Sequence, residues 1–256
     1  MPFGAIIIGD EIIRGKRQDK HFAKTIEILA ARGLKLSWTL YVGDERDRIT
    51  AVLRGTMACE DIVFSFGGIG ATPDDHTRQC AAAATDTELY LHPDAEHEIR
   101  ARFQGEELTP FRLRMGEFPR GSVIIPNPYN RIPGFTIGKH HFVPGFPVMA
   151  WPMVEWVLDT YYRHLFNQVA ESDDSVMVYD SAESTLTPLM EAVEAKYPDL
   201  KVYSLPSMGN AGLRRHIELG ARGAPASVEA AMEMLKAGVV AVRGRWEAKE
   251  KARPTG

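Results

Sequence analysis

The chain is 256 residues long, 45% hydrophobic and 25% charged, and its 30 basic and 34 acidic side chains leave a net charge of −4. Such apolar content excludes general disorder, and a chain of this length builds a core without disulfide or metal staples. Cys59 and Cys80 make no CxxC pair, the apolar run at residues 5–8 is too short for a signal core or a membrane span, and no basic excess points to nucleic acid. The expected setting is a reducing cytosol, with no membrane and no nucleic acid as partner.

Residues 3–8 are a continuous apolar run that stops at Gly9, as in a strand buried on both faces. Phe22, Ile26, Leu29, Ala30 and Gly33 then recur at helical spacing and read as one apolar helix face. Residues 34–42 read as a second strand, Ile49, Val52, Leu53 and Met57 as a helical stripe, and 61–66 as a third strand running into Gly67-Gly68-Ile69-Gly70. This alternation predicts a parallel sheet covered by helices. The ligand crevice of such a sheet lies beyond the carboxyl ends of its strands, which puts Gly9-Asp10-Glu11 and the 67–75 loop at one edge.

Further on, 93–103 reads as a helix, 106–119 as an irregular excursion and 123–126 as a short strand. The proline-containing segment 127–147 reads as turns, and 151–166 as a helix packing on the sheet. The polar stretch Glu171-Ser172-Asp173-Asp174 marks a boundary between a first domain at 1–168 and a second at 175–245. In the second, 176–179 is a strand and Leu186, Leu189, Met190, Val193 and Tyr197 form a helical stripe. Strands at 201–205 and 214–219, a helix at 227–236 and a strand at 239–242 complete a split βαβ order. The tail 247–256 is charged and is expected to fray.

The segment 67–77 carries the chemistry. Three glycines let the backbone approach a ligand closely. Thr72-Pro73-Asp74-Asp75 reads as a helix start, with Thr72 as N-cap and Pro73 at the first position, so that free N–H groups face an anion. A plain turn and capped helix explains the same residues equally well. Two carboxylates, Asp74 and Asp75, repel a phosphate unless a hard cation lies between, the arrangement in which Mg²⁺ is held by carboxylates and substrate phosphate together. Pro73 stands where a dinucleotide fingerprint needs its third glycine and no GxxxxGK[ST] occurs, which disfavours Rossmann dehydrogenases and P-loop NTPases. His140 and His141 face opposite ways on an extended chain, so a structural role outweighs a shared metal. Arg112 and Arg114 share a face if extended, within reach of a phosphate. Trp151 and Trp156 read as core, and Cys80 as a buried, alanine-like residue.

Ile8-Gly9-Asp10-Glu11 with Gly15, Tyr41-Val42-Gly43-Asp44, the whole run from Gly67 to Thr77, and Val143-Pro144-Gly145-Phe146-Pro147 occur in the order seen in CinA-like proteins. The chain resembles that family over residues 3–165, the molybdopterin-binding domain shared with enzymes of the MogA and MoaB type. The resemblance implies a three-layer α/β domain with a mostly parallel sheet, then a small α+β domain of ferredoxin- or KH-like pattern, and a homo-oligomer. It implies Asp75 and Asp10 as catalytic groups and Asp75 and Asp74 as ligands of Mg²⁺ or another divalent cation. Gly9, Glu11, Gly67, Gly68, Gly70, Thr72, Asp74, Thr77, Pro144 and Gly145 would bind the ligand. That ligand would be a phosphorylated, molybdopterin-like pterin or an adenine nucleotide, with hydrolysis of an ADP-ribose- or FAD-type diphosphate. The alternative is a non-catalytic molybdopterin-binding or carrier module. Three departures stand out: Ala71 replaces a common proline, Arg131 and Ile132 fill a segment of small residues, and Met149 stands at a common glutamate. The nicotinamide-nucleotide amidase domain of full-length relatives is not seen in the sequence, so that activity is not carried over.

Overall fold

The first apolar run forms strand β1 (Phe3–Ile8), and all six of its residues are buried. In the computed structural model, which describes residues 1–168, 172–209 and 214–249, this strand lies inside a sheet. It leads through the short helix α1 (Asp10–Ile13) to α2 (His21–Ala30), β2 (Leu36–Val42), α3 (Arg46–Met57), β3 (Ile62–Phe66) and α4 (Thr77–Ala84). Next come β4 (Leu89–Leu91), α5 (Pro93–Arg102), α6 (Pro110–Arg114) and β5 (Glu117–Pro119), with β4 and β5 paired as a small antiparallel ribbon. Strands β6 (Val123–Ile125), β7 (Gly134–Ile137) and β8 (His140–Val143) precede α7 (Pro147–Tyr161).

The sheet order is β2-β1-β3-β8-β7-β6, parallel from β2 to β8 and antiparallel beyond. Alternation along β1 feeds two cores. Phe3, Ala5 and Ile7 pack with Ile28 and Leu29 of α2 and Met153 and Val157 of α7. Ile6 and Ile8 pack with Ile49 and Leu53 of α3 and with Cys80 and Ala81 near the start of α4. Helix, sheet and helix make three layers.

Several expectations are corrected here. Phe22 and Ile26 are 43% and 42% exposed, whereas His21, Thr25, Ile28 and Leu29 are buried. The buried face is therefore rotated from the apolar stripe, because His21 packs flat on Phe66 beneath the sheet edge. The segment 127–147 is not all turns, since it contains β7 and β8, and β8 sits between β3 and β7. Its many prolines and glycines fall outside the paired strands except Gly134, where a side chain would strike the Phe142 carbonyl. Arg112 and Arg114 are on α6 rather than an extended chain. Arg112 pairs with Glu106 at 2.8 Å and stacks 3.9 Å over Phe103. Trp151 and Trp156 are partly buried against the first core.

His140 and His141 do point apart. His140 meets the Thr56 hydroxyl at 2.9 Å, while His141 bridges the hydroxyls of Thr136 at 2.9 Å and Tyr162 at 2.8 Å. Burial holds them down to about 4 and about 3 respectively, so both are neutral struts. Cys59 and Cys80 are free thiols, and burial pushes that of Cys80 up. Among the described residues no helix is long and apolar enough to cross a membrane.

The contacts divide the chain into two units, Met1–Asn167 and Gln168–Gly256. The second contains β9 (Ser172–Tyr179), α8 (Glu183–Lys196), β10 (Lys201–Ser207), β11 (His216–Gly223), α9 (Pro225–Ala241) and β12 (Arg245–Ala248). Its antiparallel sheet has the order β10-β11-β9-β12. Val176, Val178 and Leu219 of that sheet pack on Leu186, Val193 and Leu235 of the two helices. The strand expected at 239–242 is the end of α9 and the turn after it; Val239 is buried in the helix-facing core, and the last strand starts at Arg245. Ser172, Asp173 and Asp174 begin β9 instead of forming a linker, because β11 supplies them with ladder partners. Glu171 lies outside the described residues. Glu247 and Ala248 belong to β12, and the tail from residue 250 is likewise outside them.

Candidate ligand-binding site

Three loops leave the carboxyl ends of β1, β3 and β8 side by side, and a cavity of about 410 Å³ lies between them. Gly9 N–H donates to the Val42 carbonyl and Gly67 N–H to the Val143 carbonyl, each at 3.0 Å, so the loops after β1 and β3 are each tied to a neighbouring strand. Gly68 has φ 70° and a side chain there would collide with the Thr77 hydroxyl. That hydroxyl donates to the Gly67 carbonyl at 3.0 Å. Thr77 thus holds the glycine loop from beneath.

The expected helix start at Thr72 is corrected. Helix α4 begins at Thr77, and its N-cap His76 makes no side-chain capping bond. The Asp75 carboxylate accepts from the Thr72 N–H at 2.9 Å and from its hydroxyl at 2.5 Å, while Asp75 N–H donates to the Thr72 carbonyl at 3.0 Å. The side chain of Asp75 has captured the groups that would have started a helix at Thr72. Behind this turn lies Arg78, 1% exposed. Its guanidinium donates to the carbonyls of Gly70 at 2.6 Å, Glu117 at 3.4 Å and Arg114. Burial pulls its pKa down, against the charges of Glu117 and Asp75.

Gly9, Glu11, Gly67, Gly68 and Gly70 line the cavity, as do Thr72, Asp74, Asp75, Pro144 and Gly145. Asp10 and Thr77 do not. The Asp10 carboxylate accepts from Asp44 N–H at 3.2 Å and pairs with Arg14 at 2.6 Å. Asp44 answers by accepting from Asp10 N–H at 2.8 Å, and it is Asp44 that lines the cavity. Burial raises the Asp44 carboxyl above the usual range, and Asp10, Glu11 and Asp74 nearby push the same way. Sequence reasoning missed Asp44, although it follows β2 at the same sheet edge. It also missed Arg17, for which no local signal existed.

The opposite wall was missed as well. Asn127 accepts from Tyr129 N–H at 3.0 Å and donates to the Ile132 carbonyl at 2.9 Å. Asn130 accepts from Ile132 N–H at 3.0 Å and reaches the Met149 sulfur at 3.4 Å. With their amides spent inside the turn, the surface left toward the cavity comes largely from Ile132, Pro133, Met115, Phe146 and Met149. Arg131 does not fill that space. At φ 62° it turns away and pairs with Glu98 at 2.9 Å.

Among the described residues no group of three or more His, Cys, Asp or Glu is placed to hold a metal ion. The donor set, Asp74 and Asp75 with Glu11 and Asp44 near, suits a hydrated divalent ion shared with a phosphate, and not a resident ion caged by protein.

A three-layer α/β domain with a crevice at its strand ends, one wall polar and the other apolar, is a module for binding a small molecule. The chain matches the family described as a probable molybdopterin binding domain over residues 4–164, and it belongs to that family. A CinA-like protein of Anaeromyxobacter dehalogenans is 36% identical over 157 residues, 59% of this chain and 38% of that protein. A protein of Caldivirga maquilingensis is 30% identical over 197 residues, 73% of this chain and 74% of its own. The solved structure of the protein CinA, of unknown function, from Thermoplasma acidophilum is 28% identical, with a TM-score of 0.57 over 62% of this chain and 96% of that one. The chain therefore spans about 38% of the length of the CinA-like relative it matches most fully in identity among these three.

Proposed function

We propose that the first unit binds a phosphorylated, molybdopterin-type pterin or an adenine nucleotide in this cleft. A divalent cation such as Mg²⁺ would enter with the ligand, between its phosphate and the carboxylates of Asp74 and Asp75. The observation that carries the reading is the convergence of the glycine loop, Glu11, Asp44 and Pro144-Gly145 on one cavity whose other wall is apolar. A flat ring suits the apolar wall, with the Met149 sulfur available to an aromatic face. The four carboxylates suit a cation far better than a bare phosphate.

Hydrolysis of an ADP-ribose- or FAD-type diphosphate fits the same arrangement. The bound cation would neutralise phosphate charge and acidify a water. Asp75, oriented by Thr72, would fix the position of that ion. Asp10, outside the cavity lining, would act through Asp44 as a positioning residue. The second reading is a non-catalytic carrier, and Asp75 itself favours it, because one of its oxygens already serves the Thr72 turn. The test is calorimetry and product analysis with ADP-ribose, FAD and molybdopterin, each with Mg²⁺, Mn²⁺ or Co²⁺. Metal-dependent product formation supports hydrolysis, binding without turnover supports the carrier, and no binding of any of the three sinks both.

A further inference from the structure

A second cavity, of about 330 Å³, opens beside the first and shares Ile8, Glu11, Arg17, Gly145 and Phe146 with it. The two are lobes of one cleft, with Arg17 common to both. Their charges differ. Four carboxylates line the first lobe against Arg17 alone, whereas Arg17 and Lys20 line the second against Glu11 alone, beside a His21 whose burial keeps its pKa low. Among the described residues the side chains of Arg17 and Lys20 have neither a hydrogen-bond nor an ion-pair partner.

Two helices begin at this second lobe, and their ends are treated differently. Asp19 accepts from the N–H groups of His21 at 2.8 Å and Phe22 at 3.1 Å, which neutralises the start of α2. Helix α7 has no side-chain cap and no acidic residue in its first turn. Its positive end is left for something else. His21, 5% exposed, stacks on Phe66 and contacts the Gly145 carbonyl through Nε2 at 3.1 Å, while its buried Nδ1 has no partner.

We infer that the second lobe is the anion subsite of the cleft. One phosphate of the ligand sits against Arg17, Lys20 and the first turn of α7, and the rest of the molecule, with the phosphate that shares the cation with Asp74 and Asp75, extends into the first lobe. The glycine loop then faces the ring and the cation-bound phosphate, and the phosphate without a cation lies beyond it in the second lobe. What is attached to the phosphate rests on the reading above; the placement of the anion does not.

Inorganic pyrophosphate in EDTA is the probe, titrated into the full chain by calorimetry and followed by amide chemical shifts. Saturable binding is expected, moving the amides of Arg17, Lys20 and Val148 and leaving those of Gly68, Gly70 and Asp75 in place. The double variant Arg17→Gln, Lys20→Gln alters two exposed side chains, so its melt should match wild type while Kd rises about tenfold or more. No saturable binding, shifts confined to the glycine loop, or an unchanged Kd in the double variant overturns the subsite. Mg²⁺-ADP-ribose then separates the two claims. Wild type that holds pyrophosphate but none of the three candidate ligands overturns the ligand reading alone. Ligand affinity that is present and indifferent to the double substitution overturns the anion subsite alone.

Discussion

The two walls of the cleft are held rigid by opposite means. The 67–78 wall is fixed from behind, by Thr77 under the glycines and by the buried Arg78 guanidinium on three carbonyls. Its carboxylates stay at the surface of the cavity. The 127–133 wall is fixed from within, by Asn127 and Asn130 closing their own turns, and it presents apolar surface. A support placed behind a loop leaves its polar groups free for a ligand, whereas a support made from the loop's own amides consumes them. The site's division into a polar and an apolar side follows from that difference.

Breaking the support behind the first wall should have the largest effect. Arg78→Met leaves three buried carbonyls without their donor, which should cost about 4 kcal/mol. Urea unfolding measures it, and a loss below about 1 kcal/mol would show that Arg78 is not the support.

Next comes the strut beneath both walls. His140 and His141 lie on β8 between β3 and β7, with values lowered by burial to about 4 and about 3. A histidine depressed in the folded state leaves stability intact above its unfolded value of about 6.5 and erodes it as pH falls toward the folded value. The loss per histidine grows from about half of 1.4 kcal/mol per pH unit at pH 6.5, where the unfolded imidazole is half protonated, to nearly all of it at pH 5, so the pair should cost about 3 kcal/mol over that interval. Urea midpoints at those two pH values check this, and the decline should shrink in His141→Gln. A flat profile would mean that neither histidine is buried as a neutral strut.

The smallest of these effects belongs to the second wall. Asn130→Ala removes one acceptor for Ile132 N–H and the contact to Met149, for about 1 kcal/mol. Faster amide exchange at Ile132, with exchange at Gly70 unchanged, would confirm that the walls are supported separately. Equal acceleration at both would refute the comparison.

The sequence made the first wall legible and hid the second for a physical reason. Glycines, Thr77 and paired aspartates are residue types with few alternative uses, and β1 and β3 announce themselves as buried apolar runs. Strands β7 and β8 are four residues each and are embedded among prolines, so composition argued for turns. Asn127 and Asn130 are ordinary loop residues until their partners are known. The helix start at Thr72 failed because a side chain three residues on competed for the same groups, and the strand at 239–242 failed because a valine-rich helix end looks like a strand. The face of α2 was misassigned because His21 and Thr25 took the buried positions that Phe22 and Ile26 suggested for themselves.

The central claim is that the polar wall acts through a cation, and Asp75→Asn tests it most directly. Asparagine keeps the size and one acceptor for the Thr72 N–H, so the thermal melt should stay within about 1 kcal/mol of wild type. Measured with ADP-ribose, the variant should lose Mg²⁺-dependent turnover, or the Mg²⁺-dependent part of affinity, while metal-free affinity stays the same or tightens. If Asp75→Asn leaves the metal-dependent behaviour intact and instead destabilises the fold, Asp75 is a turn-closing residue and the cation account is wrong.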